Sequence, residues 1–208
     1  MDDAYPVQYA VEYPDRPLNR ASTFFRLFAA IPILIILGMV SSGTWQWTHE
    51  TGTLVAAGAG GFLFLPPLLM ILFRRKYPLW WFEWNRELHR FGNRVVAYLA
   101  LMDDRYPSTD DYQAVHLYYQ HPDVPNELNR WLPLVKWLLA IPHYIVLFFL
   151  DIAAIVMVII AWFAILITGR YPRDLFTFVE GVIRWHNRVL AYSVVLVTDR
   201  YPPFRFGP

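Results

Sequence analysis

The stretch HNRVLAYSVVLVTDRYPPF, residues 186–204, has a close counterpart in GNRVVAYLALMDDRYPS, residues 92–108. Both contain Asn-Arg, Ala-Tyr and Asp-Arg-Tyr-Pro in the same order. Further matches keep that order: YPDRPLNR (13–20) with HPDVPNELNR (121–130), and KYP (76–78) with RYP (170–172). Ordered matches with few gaps indicate a repeat. The sequence therefore predicts a tandem duplication, with units 1–108 and 109–208.

Long apolar blocks precede both copies of this stretch. Hydrophobic residues make up 56% of the chain and charged residues only 17%, which is unusual for a soluble domain. A membrane span needs about 20 apolar residues. The blocks therefore predict an α-helical membrane protein with four transmembrane helices in two hairpins, the second turning at Asp151. The predicted spans are about 22–42, 54–73, 131–150 and 152–168.

The positive charges predict the orientation in the membrane. All 18 Lys and Arg residues lie within 16–26, 74–136 and 170–205, and the loop 43–52 between the first two predicted spans has none. Lys and Arg are retained on the cytoplasmic side of a membrane. We therefore predict a multi-pass protein of the inner (plasma) membrane, with both termini and the long middle segment in the cytoplasm.

Each predicted hairpin is followed by an amphipathic helix, at about 79–102 and about 174–197. In the first, apolar residues recur in steps of three and four from Trp81 to Met102, opposite a face of Glu and Arg. Such a helix suits the membrane interface. The segments VQYAVEY (7–13) and YQAVHLYY (112–119) alternate roughly and predict two strands. Their pairing would give a small cytoplasmic sheet.

The chain also contains AIP at 30–32 and 140–142, NRVxAY at 93–98 and 187–192, and DRYPPF at 199–204. With these elements it resembles a bacterial membrane-protein family known only as a domain of unknown function, DUF4389. The segment LITGRYPRDLFTFVEGVIRWHNRVLAYSVVLVTDRYPPF (166–204) carries the resemblance most specifically. The first half departs from it, being more charged at 74–95 and ending in DDRYPS. The resemblance implies a polytopic membrane protein of the bacterial inner membrane, and it supplies no catalytic residue.

The repeated Asn-Arg pairs, Asn93-Arg94 and Asn187-Arg188, are the candidate ligand-binding residues. A guanidinium can hold a lipid phosphate or a partner's carboxylate through two hydrogen bonds. Alternatively, each Arg extends toward the head groups or pairs with a neighbouring carboxylate. Pro32 and Pro142 are predicted to kink their spans, which could open a cavity between the units or only shape the bundle.

No catalytic residues and no metal or cofactor site are predicted. The chain has no Cys, and it lacks the G-x-S-x-G, P-loop and H-E-x-x-H motifs. His143 is the one histidine clearly inside a predicted span, and His116 and His121 lack further ligands nearby. Nucleic acid is not an expected partner, because topology and head groups account for the basic residues.

Two functions remain open at this point. The first is a non-catalytic accessory or scaffold subunit of a membrane complex, whose partner is another membrane protein or a second copy of the chain. The second is binding or transport of a lipid or amphiphile in a cleft between the two units, using Arg94, Arg188 and the two prolines. An enzyme is the less favoured reading, because no catalytic set is recognisable.

Overall fold

A computed structural model describes residues 5–41 and 59–207. It is mostly helical, with one small sheet. Its elements in chain order are β1 (Val7–Val11), α1 (Arg20–Ser41), α2 (Ala59–Leu69), α3 (Leu79–Leu99), β2 (Val115–Tyr119), α4 (Val124–Glu127), α5 (Lys136–Leu139), α6 (Ile141–Thr168) and α7 (Arg173–Ser193). The predicted loop 43–52 and the start of the second predicted span lie outside the described residues.

The two predicted strands form an antiparallel pair, which confirms the small sheet. Val7 lies opposite Tyr119, and Tyr9 lies opposite Leu117. The alternate side chains Val7, Tyr9 and Val11 of β1 are buried, as are those of Val115, Leu117 and Tyr119 in β2. One face of the sheet therefore covers the core, as the period-two pattern of a half-buried strand requires.

The helices α3 and α7 form a layer between the sheet and the apolar helices. Strand β1 packs on α7, whereas β2 packs on α3, so each predicted unit places its strand on the other unit's helix. On the opposite side, Ala30 and Ile33 of α1 pack on α3. Helix α6 packs on α7 through a cluster that includes Leu147 and Val189. The two predicted units consequently share one core.

Within residues 5–41 and 59–207, two helices are long and apolar enough to span a membrane. They are the segment 20–38 of α1, with a mean hydropathy of 2.0, and α6, with 2.8. Most of their large side chains are exposed and apolar, among them Phe25, Phe28, Ile35, Phe148, Phe149, Ile152, Ile155 and Phe163. A contiguous apolar surface of this kind is typical of a membrane or a partner interface.

The predicted turn at Asp151 is not formed. Helix α6 continues through this residue as one helix of 28 residues, and the preceding segment contributes only a short turn at Leu132–Leu134 and α5. An Asp costs a helix only a fraction of a kcal/mol, roughly 0.7 or less. The Asp151 carboxylate also lies 3.4 Å from Nε2 of His186 on α7. A single acidic residue is therefore accommodated without breaking the helix.

The helices α3 and α7 end three to four residues earlier than predicted. Leu101 and Leu196 have positive φ angles of 65° and 61°. The amide of Met102 then bonds to the carbonyl of Ala97 at 2.9 Å, and the amide of Val197 to that of Ala191 at 3.1 Å. The first bond closes α3 in the manner of a Schellman turn, and the second closes α7 with a bond one residue longer. Termination therefore precedes the Asp-Arg-Tyr-Pro segments.

The two prolines predicted to kink their helices lie in different settings. Pro32 is inside α1, as expected. The helix is interrupted between α5 and α6, so Pro142 lies in the first turn of α6, where no intrahelical hydrogen bond is lost. In α2, Pro66 and Pro67 precede a π turn at Met70–Arg74. The backbone is therefore irregular just beyond these two prolines.

Candidate functional site

Asn93 and Asn187 bond to each other at the contact between α3 and α7. Nδ2 of Asn93 donates to Oδ1 of Asn187 at 2.8 Å, and Nδ2 of Asn187 donates to Oδ1 of Asn93 at 2.7 Å. Each amide also donates to the carbonyl four residues earlier in its own helix. Both side chains are buried. The reciprocal pair therefore joins the two helices and satisfies its own polar groups.

Arg90 and Arg184 cover the two outer edges of the sheet. Nε of Arg90 on α3 donates to the carbonyl of Leu117 at 3.0 Å, and Nε of Arg184 on α7 donates to that of Tyr9 at 2.7 Å. Glu180 accepts from the backbone amide of Val11 and forms an ion pair with Arg184. These bonds occupy backbone carbonyl and amide groups at the strand edges, which would otherwise be free to pair with a strand of another chain.

Arg94 and Arg188, the predicted ligand-binding arginines, bond to main-chain carbonyls. Arg94 donates to Ser108 at 2.6 Å, and Arg188 donates to Arg205 at 3.0 Å and also to Gly207. Arg188 is fully buried, whereas Arg94 is half-buried. Burial, together with the nearby positive charges of Arg205 and Arg184, lowers the pKa of Arg188 to about 10. Each side chain therefore binds the segment that follows its own helix.

All four arginines line one groove of about 660 Å³ beside the sheet, which we call the arginine groove. Its remaining walls come from the strands and the loop before β2, and include Gln8, Ala10, Tyr112, His116 and Tyr118. None of the residues that line it belongs to α1, α2 or α6. The groove therefore opens in the sheet layer, on the other side of α3 and α7 from the apolar helices.

The structure separates the residues that the sequence grouped in one cleft. Arg94 and Arg188 lie in the arginine groove, whereas Pro32 and Pro142 lie on exposed faces of α1 and α6. His143 is buried and its Nδ1 accepts from Nε1 of Trp185 at 3.0 Å. Within residues 5–41 and 59–207, no group of three or more His, Cys, Asp or Glu side chains could hold a metal ion.

Two buried cations are not among the residues predicted from the sequence, because they lie in predicted spans. Arg26 donates to the carbonyls of Tyr98 and Asp103 at 2.9 and 2.7 Å. Lys136 donates to the carbonyl of Thr198 at 2.8 Å and pairs with Asp199. Each stands six positions before a proline of an Ile-Pro pair. This equal spacing was the available signal.

A further group of large apolar side chains is exposed at the start of α3. At the start of α3, Leu79, Trp80 and Trp84 are 57%, 68% and 40% exposed, and we call them the aromatic ridge. Trp80 and Trp84 flank Trp81, which faces the core, and both of their rings contact that indole. Exposed aromatic side chains on a rigid helix are typical of contact surfaces.

Comparison with known proteins identifies part of the chain. No curated protein and no solved structure matches it. A protein family described as a domain of unknown function matches residues 131–205, about a third of the chain, which include α5, α6 and α7. This is the half in which the resemblance is most specific. Residues 131–205 form a DUF4389 domain.

Proposed function

We propose that the protein is a membrane-anchored scaffold or accessory subunit that binds a partner membrane protein through the aromatic ridge. The exposed apolar faces of α1 and α6 provide the anchor, and the shared core holds the ridge in a fixed position. The observation that carries the proposal is the exposure of Trp80 and Trp84 on a helix whose other faces pack against the chain's own core.

The proposal includes the tandem duplication, for which equivalent contacts give support. Arg90 and Arg184, 94 positions apart in the chain, each cap a strand edge. The guanidinium of Arg26 lies 4.5 Å from the ring of Tyr98, and the Lys136 ammonium lies 5.2 Å from the ring of Tyr192. Such pairs of contacts are what a duplicated unit would retain.

The duplication bears on what the aromatic ridge contacts. With the same offset of 94 positions, Leu79 and Trp80 correspond to Arg173 and Asp174 of α7. Repeats related by an axis along the membrane normal hold equivalent positions at equal depth. Although Trp84 corresponds to the aromatic Phe178, charged residues at the depth of Leu79 and Trp80 mean that anchoring in the bilayer does not itself require apolar side chains there. The ridge of α3 is therefore better explained by a protein partner than by lipid.

The sheet layer is placed in the cytoplasm in this proposal. The Tyr5 hydroxyl donates to the carbonyl of Arg200 at 3.0 Å, so the two terminal segments lie together. The basic residues of both segments and of the middle region favour the cytoplasmic side. The partner would then be met at the cytoplasmic surface of the membrane.

Photo-crosslinking tests the proposal. A photoreactive amino acid at Trp80, in membranes of the native host, should give one discrete protein adduct. Trp80→Ala/Trp84→Ala should weaken that association about thirtyfold or more, since truncating even one buried Trp at the centre of an interface costs about 2 kcal/mol or more. The matched control is Trp131→Ala, because Trp131 is also exposed, at 63%, but lies outside the ridge. Adducts with lipid alone would contradict the proposal.

A further inference from the structure

The arginine groove carries positive charge that the protein does not neutralise. Arg90 pairs with Glu87, and Arg184 pairs with Glu180. In the described part of the chain, the hydrogen bonds of Arg94 and Arg188 go to main-chain carbonyls, which carry no net charge. The charge of Arg94 acts on the carboxylate of Asp110, which is exposed and accepts from Ser108 and Thr109 instead. Two guanidinium charges therefore remain in the groove.

These two guanidiniums also have unused donors. Nε of Arg94 and Nε of Arg188 are both buried, and neither has a hydrogen-bond partner within residues 5–41 and 59–207. A buried donor without a partner is costly, and nearby like charges add to that cost. The charges of Arg184 and Arg205 act on Arg188 in this way. An anion between these side chains would offset the repulsion, and it would also satisfy the free donors once the guanidiniums turn toward it.

We propose that the arginine groove binds a phosphate monoester as its dianion, with Arg94 and Arg188 as the charged contacts. A guanidinium presents paired N–H donors that match two phosphate oxygens, and two guanidiniums balance a dianion. The groove, at about 660 Å³, is larger than a phosphate group. Its remaining volume accommodates the organic part of the ligand beside Tyr112 and Tyr118, which are exposed along the groove.

A soluble phosphomonoester is the source that suits a groove facing away from the apolar helices. The second source is phosphatidic acid, whose head group would have to reach past α3 and α7. The test uses the full chain in detergent, titrated at constant ionic strength with inorganic phosphate and with adenosine 5′-monophosphate. In parallel, the chain is reconstituted in nanodiscs with and without phosphatidic acid. Saturable binding of the soluble probes identifies the first source, and binding in the phosphatidic acid discs alone identifies the second. Either outcome supports the phosphate monoester site.

Two variants locate the binding. Arg94→Gln removes one guanidinium, and Gln8→Glu adds a negative charge at an exposed position of the groove without touching the arginines. Each should weaken binding of the effective probe about tenfold or more, the worth of a charge-assisted hydrogen bond. The controls are Arg86→Gln and Gln120→Glu, which lie outside the groove lining and should change binding less than about twofold.

Two results would overturn the site. The first is absence of saturable binding by every probe, in detergent and in nanodiscs, for a wild-type chain that unfolds cooperatively. The second is binding by Gln8→Glu and Arg94→Gln with wild-type affinity. Neither result affects the aromatic ridge, because crosslinking at Trp80 is read out independently of the groove.

Discussion

The reciprocal amide pair between Asn93 and Asn187 makes a quantitative prediction about stability. In Asn93→Ala, the amide of Asn187 keeps its bond to Ile183 but loses both bonds to Asn93. One buried donor and one buried acceptor are then unsatisfied, at about 1–3 kcal/mol each. We therefore expect each single Ala variant to lower the free energy of unfolding by about 2–6 kcal/mol.

The double variant distinguishes a paired contact from two separate ones. Asn93→Leu/Asn187→Leu removes both amides and restores volume, so it should be more stable than either single Leu variant. The coupling energy in this double-mutant cycle should be about 1–3 kcal/mol. Denaturant unfolding in detergent, followed by Trp fluorescence, measures it. The control Asn126→Ala, at an exposed site, should cost less than about 0.5 kcal/mol. Additive single effects would refute the reasoning.

Two further predictions concern buried ionisable groups. Asp199→Ala should lower the free energy of unfolding by about 3–5 kcal/mol, because it leaves the fully buried Lys136 without its carboxylate. Asp104→Ala should lower it by about 1 kcal/mol or less, because its partner Arg16 is exposed. Equal losses in denaturant unfolding would count against this. Burial lowers the pKa of His89 to about 4, so its neutral form stabilises the fold above about pH 6.5, and that contribution falls as the pH drops toward 4. Between pH 7 and pH 4.5 the free energy of unfolding should fall by about 2–3 kcal/mol more in the wild type than in His89→Gln. An equal fall in both proteins would exclude His89 as the cause.

The sequence predicted the strands and the amphipathic helices because their patterns are local. Alternation in 7–13 and 112–119 reflects one buried face, and this holds whichever element covers that face. The exchange of strands between the predicted units could not be predicted in this way. It depends on which helix meets which strand, for example Arg90 with Leu117, and no local period encodes such long-range pairing.

The candidate site was likewise predictable from the sequence only in part. Arg94 and Arg188 were singled out as binding residues, and both line the arginine groove. Their neighbours Asn93 and Asn187 were grouped with them because they are adjacent in sequence. Consecutive helix residues point in different directions, however, and the two Asn side chains face each other between the helices. The pairing was visible only once α3 and α7 were placed together.

The native mass of the protein in its own membrane tests the scaffold proposal most directly. The protein would be extracted gently from the native host, and the mass of the complex and everything that co-purifies would be determined. The account predicts a stoichiometric membrane-protein partner that is lost in Trp80→Ala/Trp84→Ala and retained in Trp131→Ala. A lone chain that carries only lipid, with the same mass in all three proteins, would contradict it.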